Sequence, residues 1–73
     1  MPHIDVKMFP GRSDEVKKAF AEKLIETASE ALGCAAEVLS VSIEEVRPEN
    51  WNEQVAERVD DESIYAGKLY HAD

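Results

Sequence analysis

The stretch Pro2-His3-Ile4-Asp5-Val6-Lys7-Met8-Phe9, followed by Pro10-Gly11-Arg12-Ser13-Asp14-Glu15, decides how the rest of the chain is read. Pro2, Ile4, Val6 and Met8 alternate with His3, Asp5, Lys7 and Phe9, the two-residue period of a half-buried strand. Pro10 and Gly11 stop it. Ser13 is placed to cap a helix, and Asp14 and Glu15 fall in a first turn whose dipole favours acids. Val16, Phe20, Leu24, Ala28, Ala31 and Leu32 then recur at helical spacing and read as the core-facing stripe, with Lys17, Glu22, Lys23, Glu26 and Glu30 on the other side. Gly33 ends the helix.

Beyond Gly33, Leu39, Val41 and Ile43 alternate with Ser40, Ser42 and Glu44, which predicts a second strand closed by Pro48. Strand, amphipathic helix and strand in that order make a βαβ unit with parallel strands. Asn50 with Glu53 resembles a capping box, and Trp51, Val55 and Val59 repeat at helical spacing, so a short helix is expected from Trp51 to Val59. Asp60, Asp61 and Glu62 break it. Ile64 to Tyr70 then reads as a last strand or as an arm packed on another subunit.

The expected fold class is α/β, a single βαβ unit plus a short C-terminal helix and tail, forming one domain over residues 1–73. Two parallel strands backed by one helix leave a sheet face and two edges uncovered, whereas parallel sheets are normally buried on both faces. Cys34 is the only cysteine, so no disulfide compensates for the small core. The expected remedy is oligomerisation, as a homodimer or a trimer of dimers.

Eight basic against 16 acidic residues give a net charge of -8, the wrong sign for a nucleic acid or an anionic membrane. An anionic substrate would need a local cation, and the only arginines are Arg12, Arg47 and Arg58. The opening residues carry no signal-peptide pattern, and a lone cysteine fits the cytoplasm. There is no glycine-rich phosphate loop, no paired Cys/His spacing and no nucleophile elbow, so neither a cofactor nor a metal is expected. His3 and His71 read as solvated histidines, and Cys34 as a structural thiol.

Pro2 stands apart. Removal of Met1 would leave a secondary amine at the head of a strand whose same-face neighbours are apolar, and desolvation disfavours the ammonium form. An amine brought down from about 8 toward neutrality is a competent general base. Pro2, the following strand and Gly11-Arg12-Ser13-Asp14-Glu15 together resemble the 4-oxalocrotonate tautomerase family, without gaps through about Val46. Pro2-His3-Ile4-Asp5 and Pro48-Glu49-Asn50-Trp51 look more like its bacterial phenylpyruvate-type subgroup.

The resemblance implies a cofactor-independent keto-enol tautomerase acting on small 2-oxo or 2-hydroxy-enoic acids, either phenylenolpyruvate-like or 2-hydroxymuconate-like. Pro2 would shuttle the proton, Arg12 would bind the substrate carboxylate, and Trp51 would form an aromatic wall that excludes water. Ser40 stands where the family carries a second arginine, so its hydroxyl, a water or another cation must polarise the substrate oxygen. Arg47, reaching from the same or a neighbouring subunit, is a candidate replacement. Two rivals use the same scaffold differently: hydrolytic dehalogenation or decarboxylation of a small acid through Pro2, and a non-catalytic homo-oligomeric binding module.

Overall fold

Residues 1–73 are described by a computed structural model. Strand β1 (His3–Met8) leads into helix α1 (Asp14–Leu32), a 3₁₀ turn at Ala36–Val38, and strand β2 (Ser40–Glu45). A further helix, α2 (Pro48–Trp51), continues as a π turn over Asn52–Ala56, and a 3₁₀ turn at Asp61–Ser63 precedes an irregular tail. The two strands pair in parallel, with His3 opposite Ser40 and Met8 opposite Glu45. The pairing runs one residue further, where Val46 N–H donates to the Met8 carbonyl at 2.8 Å.

Local chemistry accounts for the ends of α1. Ser13 Oγ accepts from Val16 N–H at 3.2 Å, and Asp14 and Glu15 occupy the positive end of the dipole. Gly33 takes φ +68° and returns its N–H to Ser29, closing the helix in a left-handed conformation that a Cβ would strain. Gly11, at φ +134°, makes the same kind of demand in the turn between β1 and α1.

Two expectations change in the helices. The apolar stripe of α1 is rotated: Lys17, Ala21, Leu24, Ile25, Ala28 and Ser29 are half-buried, while Val16, Phe20 and Leu32 are 52%, 41% and 62% exposed. The helix packs on β2, so the row nearest β1 has nothing over it in a single chain. The second change concerns α2, which starts at Pro48 rather than Trp51, with Arg47 as N-cap and no side-chain capping bond from Asn50. Proline's fixed φ and missing N–H suit the first turn of a helix, so Pro48 initiates where it was expected only to terminate β2.

The buried core is small. Val46, Trp51, Val55 and Ala56 form its one cluster, with Phe9, Val59, Leu69 and Ala72 packed around them, and Leu39 is the fifth buried residue. Residues 64–70 form no strand. The tail folds back on its own chain: Trp51 Nε1 donates to the Tyr70 carbonyl at 2.9 Å, and the Asn52 side chain makes two bonds to the Ala72 backbone. No helix is long and apolar enough to cross a membrane.

Candidate functional site

The sequence of β1 sorts its side chains onto two faces, and the two faces have different chemistry. Ile4, Val6 and Met8 lie on the side of α1, opposite Val41, Ile43 and Glu45. His3, Asp5 and Lys7 lie on the outer face, opposite Ser40, Ser42 and Glu44. Every pair on that outer face is joined. Lys7 pairs with both Asp5 and Glu44, Ser42 donates to Asp5 Oδ1 at 2.8 Å, and His3 Nε2 lies 3.0 Å from Ser42 Oγ. His3 Nδ1 lies 2.7 Å from Ser40 Oγ. Because the Ser42 hydroxyl hydrogen is directed to Asp5, Ser42 accepts from His3 Nε2–H, and a neutral imidazole then takes the Ser40 hydrogen on Nδ1. Ser40 is thus tied to His3 rather than free.

The hydrogen bonds from Lys7 and then Ser42 hold the Asp5 carboxyl below its ordinary value, and Asp5 with Glu44 raises Lys7. Lys17 is raised in the same way by Asp14 and Glu45, each 3.3 Å away. Its positive charge is therefore already matched. Arg47 Nε pairs with Glu49 at 3.1 Å and is exposed. Arg12 makes no ion pair, although the chain carries an excess of acid.

Arg12 lies where two hollows meet. One, of about 310 Å³, runs between the inner row of β1 and the first turns of α1, lined by Val6, Met8, Arg12, Val16, Lys17 and Phe20. The other, of about 300 Å³, is lined by Phe9, Arg12, Trp51 and Tyr70. Its three rings meet edge to face: the Phe9 and Trp51 centroids are 5.1 Å apart at 89°, and those of Phe9 and Tyr70 are 5.8 Å apart at 79°. A guanidinium beside three aromatic rings provides a fork for a carboxylate and an apolar wall for what is attached to it.

Of the residues singled out from sequence, Arg12 and Trp51 come together in one hollow. Pro2, Ser40 and Arg47 line neither. Pro2, half-buried at the head of β1, is separated from Phe9 by the length of the strand, about 23 Å at roughly 3.3 Å per residue. Phe9 and Tyr70 were not among the expected site residues. Phe9 could have been found from its position two residues before Gly11; nothing local marks Tyr70.

The family model for tautomerase enzymes matches residues 2–61. Tautomerase PptA of Pectobacterium atrosepticum is 45% identical over 56 residues, which is 75% of this chain and 74% of that protein. The 2-hydroxymuconate tautomerase of Bacillus subtilis is 41% identical over 51 residues, covering 70% and 82%. Among solved structures, TomN, a 4-oxalocrotonate tautomerase homologue of the tomaymycin biosynthetic pathway, superposes with a TM-score of 0.66 at 40% identity, covering 68% of this chain and 77% of its own. The parallel βαβ unit, the short helix that follows it and these relatives agree, and the chain belongs to the tautomerase family of the 4-oxalocrotonate type, as an isomerase.

Proposed function

We propose that this tautomerase interconverts the enol and keto forms of small 2-hydroxy-enoic and 2-oxo acids, of the phenylenolpyruvate or 2-hydroxymuconate kind, without a cofactor. The observation that carries the substrate class is the unpaired Arg12 guanidinium on a hollow of about 300 Å³ walled by Phe9, Trp51 and Tyr70. That size suits a small acid, and the three rings favour an apolar or aryl substituent.

In this reading Met1 is removed and the Pro2 amine is the base. Its lone pair takes the enol O–H proton, the O–H electron pair becomes the carbonyl π bond, and the former C=C pair accepts the proton back from the prolinium at carbon. Atoms balance and Pro2 is regenerated. Arg12 holds the carboxylate and stays protonated throughout.

The length of β1 supports a site shared between chains. Pro2 and the Arg12 hollow flank opposite ends of the strand, so a two-fold axis that sets the free edges of two β1 strands antiparallel brings one chain's Pro2 toward the other's Arg12. Exposed Val16 and Phe20, with Val6 and Met8, form an apolar groove along that same edge. A second copy covers it, as a homodimer or within a trimer of dimers, in the cytoplasm. Within one chain the Ser40 hydroxyl is engaged by His3 and Arg47 by Glu49, so polarisation of the substrate oxygen falls to Ser40 with the His3 it touches, or to a water.

The test is the pH dependence of kcat/KM on phenylenolpyruvate, followed by absorbance. An ascending limb near about pH 6 to 7, abolished by acylating the N-terminal amine, is expected for a desolvated secondary amine acting as base. A flat profile that survives acylation contradicts it.

A further inference from the structure

Tyr70 belongs to an irregular segment, yet its backbone is fixed on both sides. Its carbonyl accepts from Trp51 Nε1 at 2.9 Å. Two residues on, the Asn52 carboxamide donates Nδ2–H to the Ala72 carbonyl at 2.6 Å and accepts Ala72 N–H on Oδ1 at 2.8 Å. Leu69 and Ala72 also pack against the buried core. Three hydrogen bonds and two apolar anchors thus hold a stretch of four residues. Tyr70 is nevertheless 57% exposed, and it lines the hollow together with Arg12.

With its backbone held in this way and its ring set edge to face against Phe9 and Trp51, Tyr70 is already placed before any ligand arrives, which favours recognition of a planar apolar group. Phe9 and Trp51 already meet each other edge to face without Tyr70, so the core does not need the third ring for closure. What Tyr70 adds is a wall facing the only cation of the hollow.

We infer that Tyr70 is a specificity-determining residue for the aryl substituent of a carboxylate held by Arg12, and that Asn52 is the positioning residue that fixes it there. This rests on the tautomerase reading of the Arg12 hollow given above and narrows it: an aryl enolpyruvate is selected over an aryl-free dienol acid through the tail, not through the βαβ unit.

The experiment compares Tyr70→Leu, Tyr70→Phe and Asn52→Ala with the unaltered chain on phenylenolpyruvate and on 2-hydroxymuconate. One edge-to-face aromatic contact corresponds to a change of about three- to tenfold. Tyr70→Leu should raise KM for phenylenolpyruvate by about that factor more than it raises KM for 2-hydroxymuconate, the change lying in KM rather than in kcat. Tyr70→Phe retains the ring and should keep the ratio of the two KM values. Asn52→Ala should reproduce the same split between the two substrates. Equal losses on both substrates, or an unchanged KM for the aryl acid, overturn the assignment.

A binding measurement separates this inference from the reading beneath it. Trp51 is the only tryptophan, so quenching of its fluorescence reports occupancy by 3-phenylpropanoate, an acid that cannot enolise. Quenching that weakens about three- to tenfold in Tyr70→Leu supports the subsite even if no enol is turned over, in which case only the tautomerase assignment falls. Turnover of both enols with quenching identical in Tyr70→Leu and the unaltered chain removes the subsite and leaves the tautomerase assignment standing.

Discussion

Replacing Trp51 with alanine removes the largest side chain of the buried cluster. Trp51 is 9% exposed, lies against Val46, Val55 and Ala56, and is met on its edges by Phe9 and Tyr70 at centroid distances of 5.1 and 6.4 Å. Truncating a buried Phe or Trp to Ala typically costs about 3–5 kcal/mol, the lost transfer of the ring plus the cavity it leaves. Its Nε1–H bond to the Tyr70 carbonyl adds about 1 kcal/mol, and its loss frees one anchor of the tail. For a domain whose whole stability is on the order of 5 kcal/mol, this is most of the total. Trp51→Phe separates the two contributions, because it keeps an apolar ring and drops only the donor and part of the volume; about 1–2 kcal/mol is expected. The assay is urea unfolding followed by far-UV circular dichroism, since the variants lack the fluorophore. Protein concentration is held fixed because self-association would move the midpoint. A Trp51→Ala chain within about 1 kcal/mol of the unaltered one, or a Trp51→Phe chain as damaged as Trp51→Ala, would refute the placement of this ring at the centre of the core.

Three further outcomes follow from the site and its surroundings. Arg12→Ala should lower kcat/KM about ten- to a hundredfold through the loss of a charge-assisted carboxylate contact, and Arg12→Lys should recover only part of it; steady-state kinetics decide. Phe20→Asp places an acid in the groove along β1, so sedimentation velocity should show dissociation to monomers and the assay a parallel loss of turnover; an unchanged sedimentation coefficient contradicts a partner on that edge. Asp5 is held below its ordinary 3.8 by Lys7 and Ser42, so its contribution is present above that value and lost as pH falls through the lower folded value. Lys7, raised above 10.5, loses its contribution only as pH rises through its folded value, far from that window. Thermal melts of Asp5→Asn should therefore flatten below about pH 4 relative to the unaltered chain and run parallel to it between pH 6 and 8.

How far the residues alone carry is clearest at three places. The strand from Pro2, the Ser13 cap, the Gly33 stop and the second strand rest on neighbours a few positions apart, and each appears in the structure where its pattern lies. The exposed row of α1 was misread, because Val16, Phe20 and Leu32 have the spacing of a core stripe whether their cover comes from the same chain or another. Periodicity records that a face is apolar, not what covers it. The tail had no local signal at all: Tyr70 and Ala72 are placed by Trp51 and Asn52, 19 and 20 residues away, through bonds to backbone that leave no trace in side-chain pattern. The Arg12 and Trp51 pairing was legible only through family spacing. That Pro2 lies at the far end of β1 from the aromatic hollow needed the fold.

The proposed reaction depends above all on the Pro2 amine. The most direct measurement takes two preparations of the same chain, one with Met1 retained and one with it removed, each verified by intact mass, and compares kcat/KM on phenylenolpyruvate. Turnover is expected in the processed chain alone, because retained Met1 turns the Pro2 nitrogen into an amide without basicity. Equal turnover in the two preparations would contradict it.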